Sequence, residues 1–155
     1  MKEREINHYV ESTLYAMEQT AVYLRVKGAQ LFNELNLGVT VDQFIVLDAI
    51  YCNNQMCQRD VSKIVLKDRS NTGRILTILD ENGFITRALE TKGNRPVKMI
   101  YITEKGKKLV EESIPKLRSA FHPLFDSVSD EEFIALRATL AKIKNSLSKT
   151  TNIQI

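Results

Sequence analysis

Between Gln58 and Gly106 the chain sets two short helical patterns, a glycine stop and two strand patterns around a basic turn. Cys57 or its neighbour opens the first pattern, and Val61, Ile64 and Val65 recur at the spacing of an inward helix face. A tight turn over Leu66 and Lys67 leads to Asp68, a good cap for the second pattern, which Ile75, Leu76 and Leu79 anchor to a core. Gly83 suits the left-handed residue that ends such a helix. Phe84 to Thr91 and Val97 to Ile102 then read as β-strands, joined by Lys92-Gly93-Asn94-Arg95-Pro96. Helix, helix and basic hairpin in this order outline a winged helix-turn-helix, a fold that is mainly α with a small β-hairpin wing.

Flanking patterns complete the architecture. Ile6, Val10, Leu14, Met17, Ala21, Leu24 and Leu31 form one face of a long first helix ending between Asn36 and Gly38. Thr40, with Gln43 three residues on, caps a second helix whose buried side is Phe44, Leu47, Ile50 and Tyr51, and Asn53-Asn54 ends it. After the hairpin, Thr103 caps a further helix that Pro115 and Pro123 are expected to kink or interrupt. Ser129 and Glu132 make a second capping box, followed by the apolar stripe Phe133, Leu136, Leu140, Ile143 and Leu147. That stripe needs a partner face, within the chain or on a second copy. The tail from Ser148 to Ile155 is expected to fray. At 155 residues the chain can bury one substantial core but not two independent ones.

Charge is distributed unevenly. From Cys57 to Lys98 nine basic residues face five acidic ones, a surplus of four, whereas Met1 to Val39 carries four basic and five acidic residues. A basic centre between more neutral ends suits contact with phosphate. On the second helix of the pair, Arg69, Ser70, Asn71, Thr72 and Arg74 are left facing outward, side chains of the kinds that read base edges and phosphates.

Catalysis finds no constellation to carry it. His8 and His122 are the two histidines, far apart and in no zinc or nucleophile spacing, so no metal and no cofactor is expected. There is no phosphate-binding glycine loop and no Gly-x-Ser-x-Gly elbow. Two cysteines do not make a disulfide scaffold, no apolar run reaches the roughly 18 residues of a membrane span, and Met1 to Glu5 lacks a signal core. A cytoplasmic protein with no membrane partner is therefore expected. Cys52 and Cys57 bracket the turn between the second and third helices. Cys57, near a helix amino terminus, has the setting of a redox-sensitive thiol, and cysteine is also a common packing residue.

Four pieces, Gln58-Arg59-Asp60-Val61, Asp68-Arg69-Ser70-Asn71, Leu79-Asp80-Glu81-Asn82-Gly83-Phe84-Ile85 and Ile102-Thr103-Glu104-Lys105-Gly106, together resemble the multiple-antibiotic-resistance regulator (MarR) family of winged-helix repressors. The resemblance spans nearly the whole chain. It implies a dimerisation helix over 1–36, a winged helix-turn-helix over 40–103 and dimerisation helices over 104–150, with Ile6, Val10, Leu136, Leu140, Ile143 and Leu147 at the dimer contact. It implies a homodimeric repressor on a pseudo-palindromic, double-stranded DNA operator, released by a small aromatic effector or an oxidant. DNA contacts are expected from Arg59, Arg69, Ser70, Asn71, Thr72, Arg74, Lys92, Asn94, Arg95 and Lys98. In the family an effector cleft lies between the DNA-binding and dimer regions, and the helices around it here carry Tyr9, Tyr15, Tyr23, Phe44, Tyr51, Phe121 and Phe125. The alternative is a winged-helix protein-interaction module that does not bind DNA. One departure stands out: where the family's wing carries Asp-x-Arg, this chain has Asn94-Arg95-Pro96, with Pro96 expected to stiffen the turn.

Overall fold

The computed structural model describes residues 6–53 and 55–153. Expectations resting on Met1 to Glu5, on Asn54 and on the last two residues lie outside these. The chain forms two compact units, the first ending at Val41 and the second beginning at Asp42.

In the first unit a 3-10 turn, Tyr9–Glu11, precedes helix α1, Thr13–Glu34. The apolar pattern predicted one continuous helix from Ile6, but Ser12 divides it. Its backbone is extended, and its hydroxyl donates to the Tyr9 carbonyl at 2.7 Å and accepts from the Tyr15 N–H at 3.2 Å. A serine in that position starts a helix rather than continuing one, so Ile6 and Val10 lie ahead of α1. The helix ends with Asn36 in the left-handed region (φ 49°) and the Leu37 N–H donating to the Phe32 carbonyl. Leu31, Phe32 and Leu37 are buried, whereas Val22, Tyr23, Leu24 and Val26 are exposed.

The second unit runs α2 (Val41–Cys52), β1 (Met56–Cys57), α3 (Gln58–Val65), α4 (Arg69–Glu81), β2 (Ile85–Lys92), β3 (Arg95–Ile102), α5 (Glu104–Phe121), a 3-10 turn (His122–Phe125) and α6 (Asp130–Thr150). The three strands pair antiparallel in the order β1-β3-β2. Strand β1 was not anticipated, because two residues carry no readable alternation. It pairs Met56 with Ile100 and Cys57 with Met99. The core gathers Val46, Leu47 and Ile50 from α2, Val61 from α3, Leu76 and Leu79 from α4, and Ile85, Met99, Ile100 and Val110 from the elements that follow. Two residues assigned inward are not. Ile64 is half exposed on the outer side of the short α3, and Tyr51 is exposed, donating its hydroxyl to Glu111 at 3.0 Å.

One joint holds the end of α4, the root of the hairpin and the start of α5 together. Gly83, at φ 74°, stops α4 as expected. The Thr103 hydroxyl donates to the Gly83 carbonyl at 2.7 Å and accepts from the Gly106 N–H at 3.1 Å, while its own N–H donates to the Phe84 carbonyl. Lys105 adds a bond to the Asn82 carbonyl and lies over the Phe84 ring. Beyond this joint, α5 runs on through Pro115, and the change to 3-10 geometry comes at His122 and Pro123. Ser129 and Glu132 form the expected capping box on α6, which stays helical to Thr150, past the expected start of fraying.

Candidate nucleic-acid interface

The helix pair is built from its caps. The Asp60 carboxylate accepts from the Cys57 N–H at 3.2 Å and from the Cys57 thiol at 3.0 Å, fixing the start of α3. That helix ends on Leu66 in the left-handed conformation (φ 51°), which turns the chain sharply toward Asp68. Asp68 caps α4 as the sequence predicts, taking the Asn71 N–H at 2.9 Å and the Asn71 side-chain amide as well. Gln58 then reaches across to donate to the Arg69 carbonyl at 2.9 Å, tying the start of α3 to the start of α4.

Arg69, Ser70, Asn71 and Arg74 are exposed on the first turns of α4, and Arg59 is exposed on α3. Thr72, expected among the outward residues, is fully buried. It lies four and seven residues before Leu76 and Leu79, on the face those residues press into the core. It therefore leaves the candidate contact set.

The hairpin is tighter than the five-residue tip the sequence suggested. Gly93 and Asn94 alone form the turn, both with positive φ (53° and 61°), between the paired Lys92 and Arg95. Two left-handed residues in succession give the turn whose twist matches the strands, and Asn is one of the few side chains that tolerates it. Pro96, expected in the turn, lies within β3 opposite Thr91. The pair flanking a two-residue turn exchanges hydrogen bonds, so the next pair directs its N–H positions outward. Because β1 reaches only Met99 and Ile100, that edge beside Pro96 needs no donor. Lys92 and Arg95 share one face of the wing and Lys98 lies on the other; all three are exposed, as is Asn94.

Both capping carboxylates are held below the usual carboxylate range. For Asp60 the leading cause is the thiol hydrogen bond from Cys57, followed by the Cys57 N–H. For Asp68 it is the Asn71 N–H, followed by the Asn71 side chain. A depressed folded-state pKa adds stability that is present above the ordinary carboxylate value and lost as pH falls through the lowered one. The caps should therefore survive mild acid. The Asn71 amide proton shift, followed by NMR, is expected to titrate with a midpoint below 3.8, the ordinary aspartate value; a midpoint at or above it would show that Asp68 does not cap α4 in solution.

No protein-family model matches the chain. An HTH-type transcriptional regulator of Bacillus cereus is 30% identical over 105 residues, covering 66% of this chain and 69% of that one. The chain belongs to the HTH-type transcriptional regulators. Its fold is that of the MarR family: a MarR-family regulator from Rhodococcus superposes with a TM-score of 0.78 at 20% identity, over 88% of this chain and 95% of that one. The DNA complex of Staphylococcus aureus MepR contains a chain with a TM-score of 0.73 at 22% identity, over 90% and 99%. This regulator is thus a DNA-binding winged-helix protein and not an enzyme, as its residues suggested.

Other expected site residues of the regulator are dispersed. Cys52, the last residue of α2, is exposed, Cys57 is half buried, and both are free thiols. Among the aromatics, Phe44 is in the core and Tyr9 packs against Tyr15. Phe121 and Phe125 come together with Phe133 and Arg118 around a hollow of about 370 Å³ beside the 3-10 turn. Along α6, Leu136, Leu140 and Leu147 are exposed, Ile143 is half buried, and none of the helix is buried. Ile6 and Val10 are exposed as well. No helix among the described residues is long and apolar enough to cross a membrane. Sequence reasoning passed over Gln58, Thr77, Asp80 and Arg87. For the last two a signal existed: opposite charges on either side of the Gly83 stop, where a helix hands over to a strand.

Proposed function

We propose that two copies of this regulator pair through their terminal helices and act as a repressor on a pseudo-palindromic operator. The observation that carries this reading is α6, a helix of 21 residues with no buried position, whose apolar stripe is exposed at Leu136, Leu140 and Leu147. An amphipathic helix of that kind is stable when a second apolar face covers it. A twofold pair would present two α4 helices to successive major grooves, about 10 base pairs apart.

In this docking Arg69, Ser70, Asn71 and Arg74 meet the major groove, Arg59 meets backbone phosphate, and Arg95 enters or borders the minor groove beside Asn94. Lys92 and Lys98 bind phosphate. The exposed Arg, Ser and Asn face of α4 favours DNA over the alternative of a protein-only interaction module. Substituting Arg74 and Arg95 by alanine together should cost about 1–3 kcal/mol per truncated side chain, read as operator affinity. Unchanged affinity in that double variant rejects the docking. The Lys92 or Lys98 alanine variants should instead weaken all sequences alike and flatten the salt dependence.

Release would follow if a ligand binds the spacing of the two heads that does not fit DNA better than the spacing that does. The hollow lined by Phe121, Phe125, Phe133 and Arg118 has the size to take a small aromatic molecule. For the oxidant route, the bond from the Cys57 thiol to Asp60 favours a capping role for that cysteine.

A further inference from the structure

Arg87 is one of the nine basic residues that make the centre of the chain positive, and by charge alone it would be counted as a phosphate contact. Its surroundings assign it elsewhere. It projects from β2 back onto α4, where its Nε lies 3.1 Å from the Asp80 carboxylate and its Nη2 donates to the Thr77 hydroxyl at 3.1 Å. The Nε atom is shielded from solvent, and its approach to Asp80 is too oblique for a hydrogen bond, so the carboxylate serves it as counterion. The whole side chain is 25% exposed. Thr77 in turn donates its hydroxyl to the Gly73 carbonyl at 3.0 Å, one residue from Arg74. One N–H of the guanidinium is taken by Thr77 and its charge is met by Asp80, both on one helix, so the group is held against α4 rather than turned toward phosphate.

We propose that Arg87, gripping Asp80 and Thr77, is a positioning residue that fixes the wing against the reading helix and is not itself a DNA contact. From Lys98 to the tip, where β1 no longer flanks it, the hairpin is a two-stranded ribbon held loosely by its own ladder. The clamp stands where β2 leaves the α4 joint, ten residues from Thr77 and seven from Asp80 in the chain. From there a small rotation of the strand would carry Lys92, Asn94 and Arg95 away from the groove that α4 occupies. This inference rests on the docking proposed above.

The test is equilibrium binding of the full chain to a duplex selected by the wild-type protein from a random pool, alongside an unrelated duplex. Asp80→Asn removes a negative charge, which by electrostatics alone should strengthen binding to any DNA. The clamp predicts the opposite on the selected duplex, a loss of about 5- to 10-fold, with affinity for the unrelated duplex unchanged or raised. Arg87→Ala should lose a similar factor on the selected duplex, and the double variant should lose no more than Arg87→Ala does. Arg87→Lys keeps the charge but not the fork and should behave like the alanine variant. Asp80→Asn at wild-type affinity or tighter, Arg87→Lys at wild-type affinity, or equal losses on both duplexes would each overturn the assignment. Arg74→Ala reports on the docking itself. Lost affinity there with an unaffected Asp80→Asn variant sinks the clamp and leaves the docking standing.

Discussion

Replacing Leu140 and Leu147 by glutamate is expected to leave a monomer that no longer holds operator DNA. Both leucines are exposed in the single chain, at 39% and 57%, so the substitutions remove nothing from its own core. In a pair of copies the same positions would be covered, and each buried leucine stabilises by about 1.5–3 kcal/mol. With about half of each side chain still to be covered, four of them per dimer amount to roughly 3–6 kcal/mol, before the cost of burying four carboxylates is counted. A single head lacks the second one held at high effective concentration, which can be worth about 10²- to 10⁴-fold in affinity. Native mass spectrometry and operator titration on the same samples measure both effects. A monomer that binds a palindrome as tightly as the wild type would show that pairing is not required for operator binding.

The second large effect is expected at Gly106, and it concerns stability. A Cβ at this position would lie 2.2 Å from the Phe84 carbonyl oxygen and 2.8 Å from the Ile102 side chain. That oxygen is the acceptor of the Thr103 N–H, so it cannot retreat without opening the joint of α4, wing and α5. Alanine would gain about 1 kcal/mol in helix propensity over glycine, but steric overlap with backbone outweighs it. Gly106→Ala should destabilise by about 3–5 kcal/mol and lower the melting temperature by roughly 10 °C. Gly83→Ala makes the comparison informative. Gly83 has positive φ, and a Cβ there would meet only the Lys105 side chain at an ordinary 4.0 Å, so backbone strain of about 1–2 kcal/mol is all that is expected. If Gly106→Ala proves the milder of the two, close approach is not what that glycine is for.

Much of the scaffold was legible because its signals are local. Asp68, Thr103 and Ser129 each cap the helix that follows, and a side-chain oxygen three residues before an N–H needs no tertiary contact to act. Gly83 likewise announces the left-handed stop of α4, whereas Gly93 and Asn94 are read from the sequence only as part of a five-residue tip. Thr72 was misplaced because its polarity was weighed above its spacing. Read with Leu76 and Leu79 it belongs to the buried stripe, and a hydroxyl is small enough to go there. Ile64 erred the other way, since an eight-residue helix offers the core so narrow a face that one of three apolar positions stays outside.

The residues by themselves determined the order of the main helices and the hairpin, most of their caps and stops, and the concentration of positive charge in the middle of the chain, because each depends on neighbours within a few positions. Tertiary structure decided the rest. Strand β1 exists only because β3 lies beside it, and Pro96 is tolerated in β3 only because β1 stops short of it. Among nine basic residues of similar local context, it is the packing of β2 against α4 that turns Arg87 inward to Asp80 and Thr77 while Arg69, Arg74, Lys92 and Arg95 stay in solvent. A charge count records how many cations a segment has. Which of them remain available to DNA is settled by the counterions and acceptors that folding brings within about 3 Å.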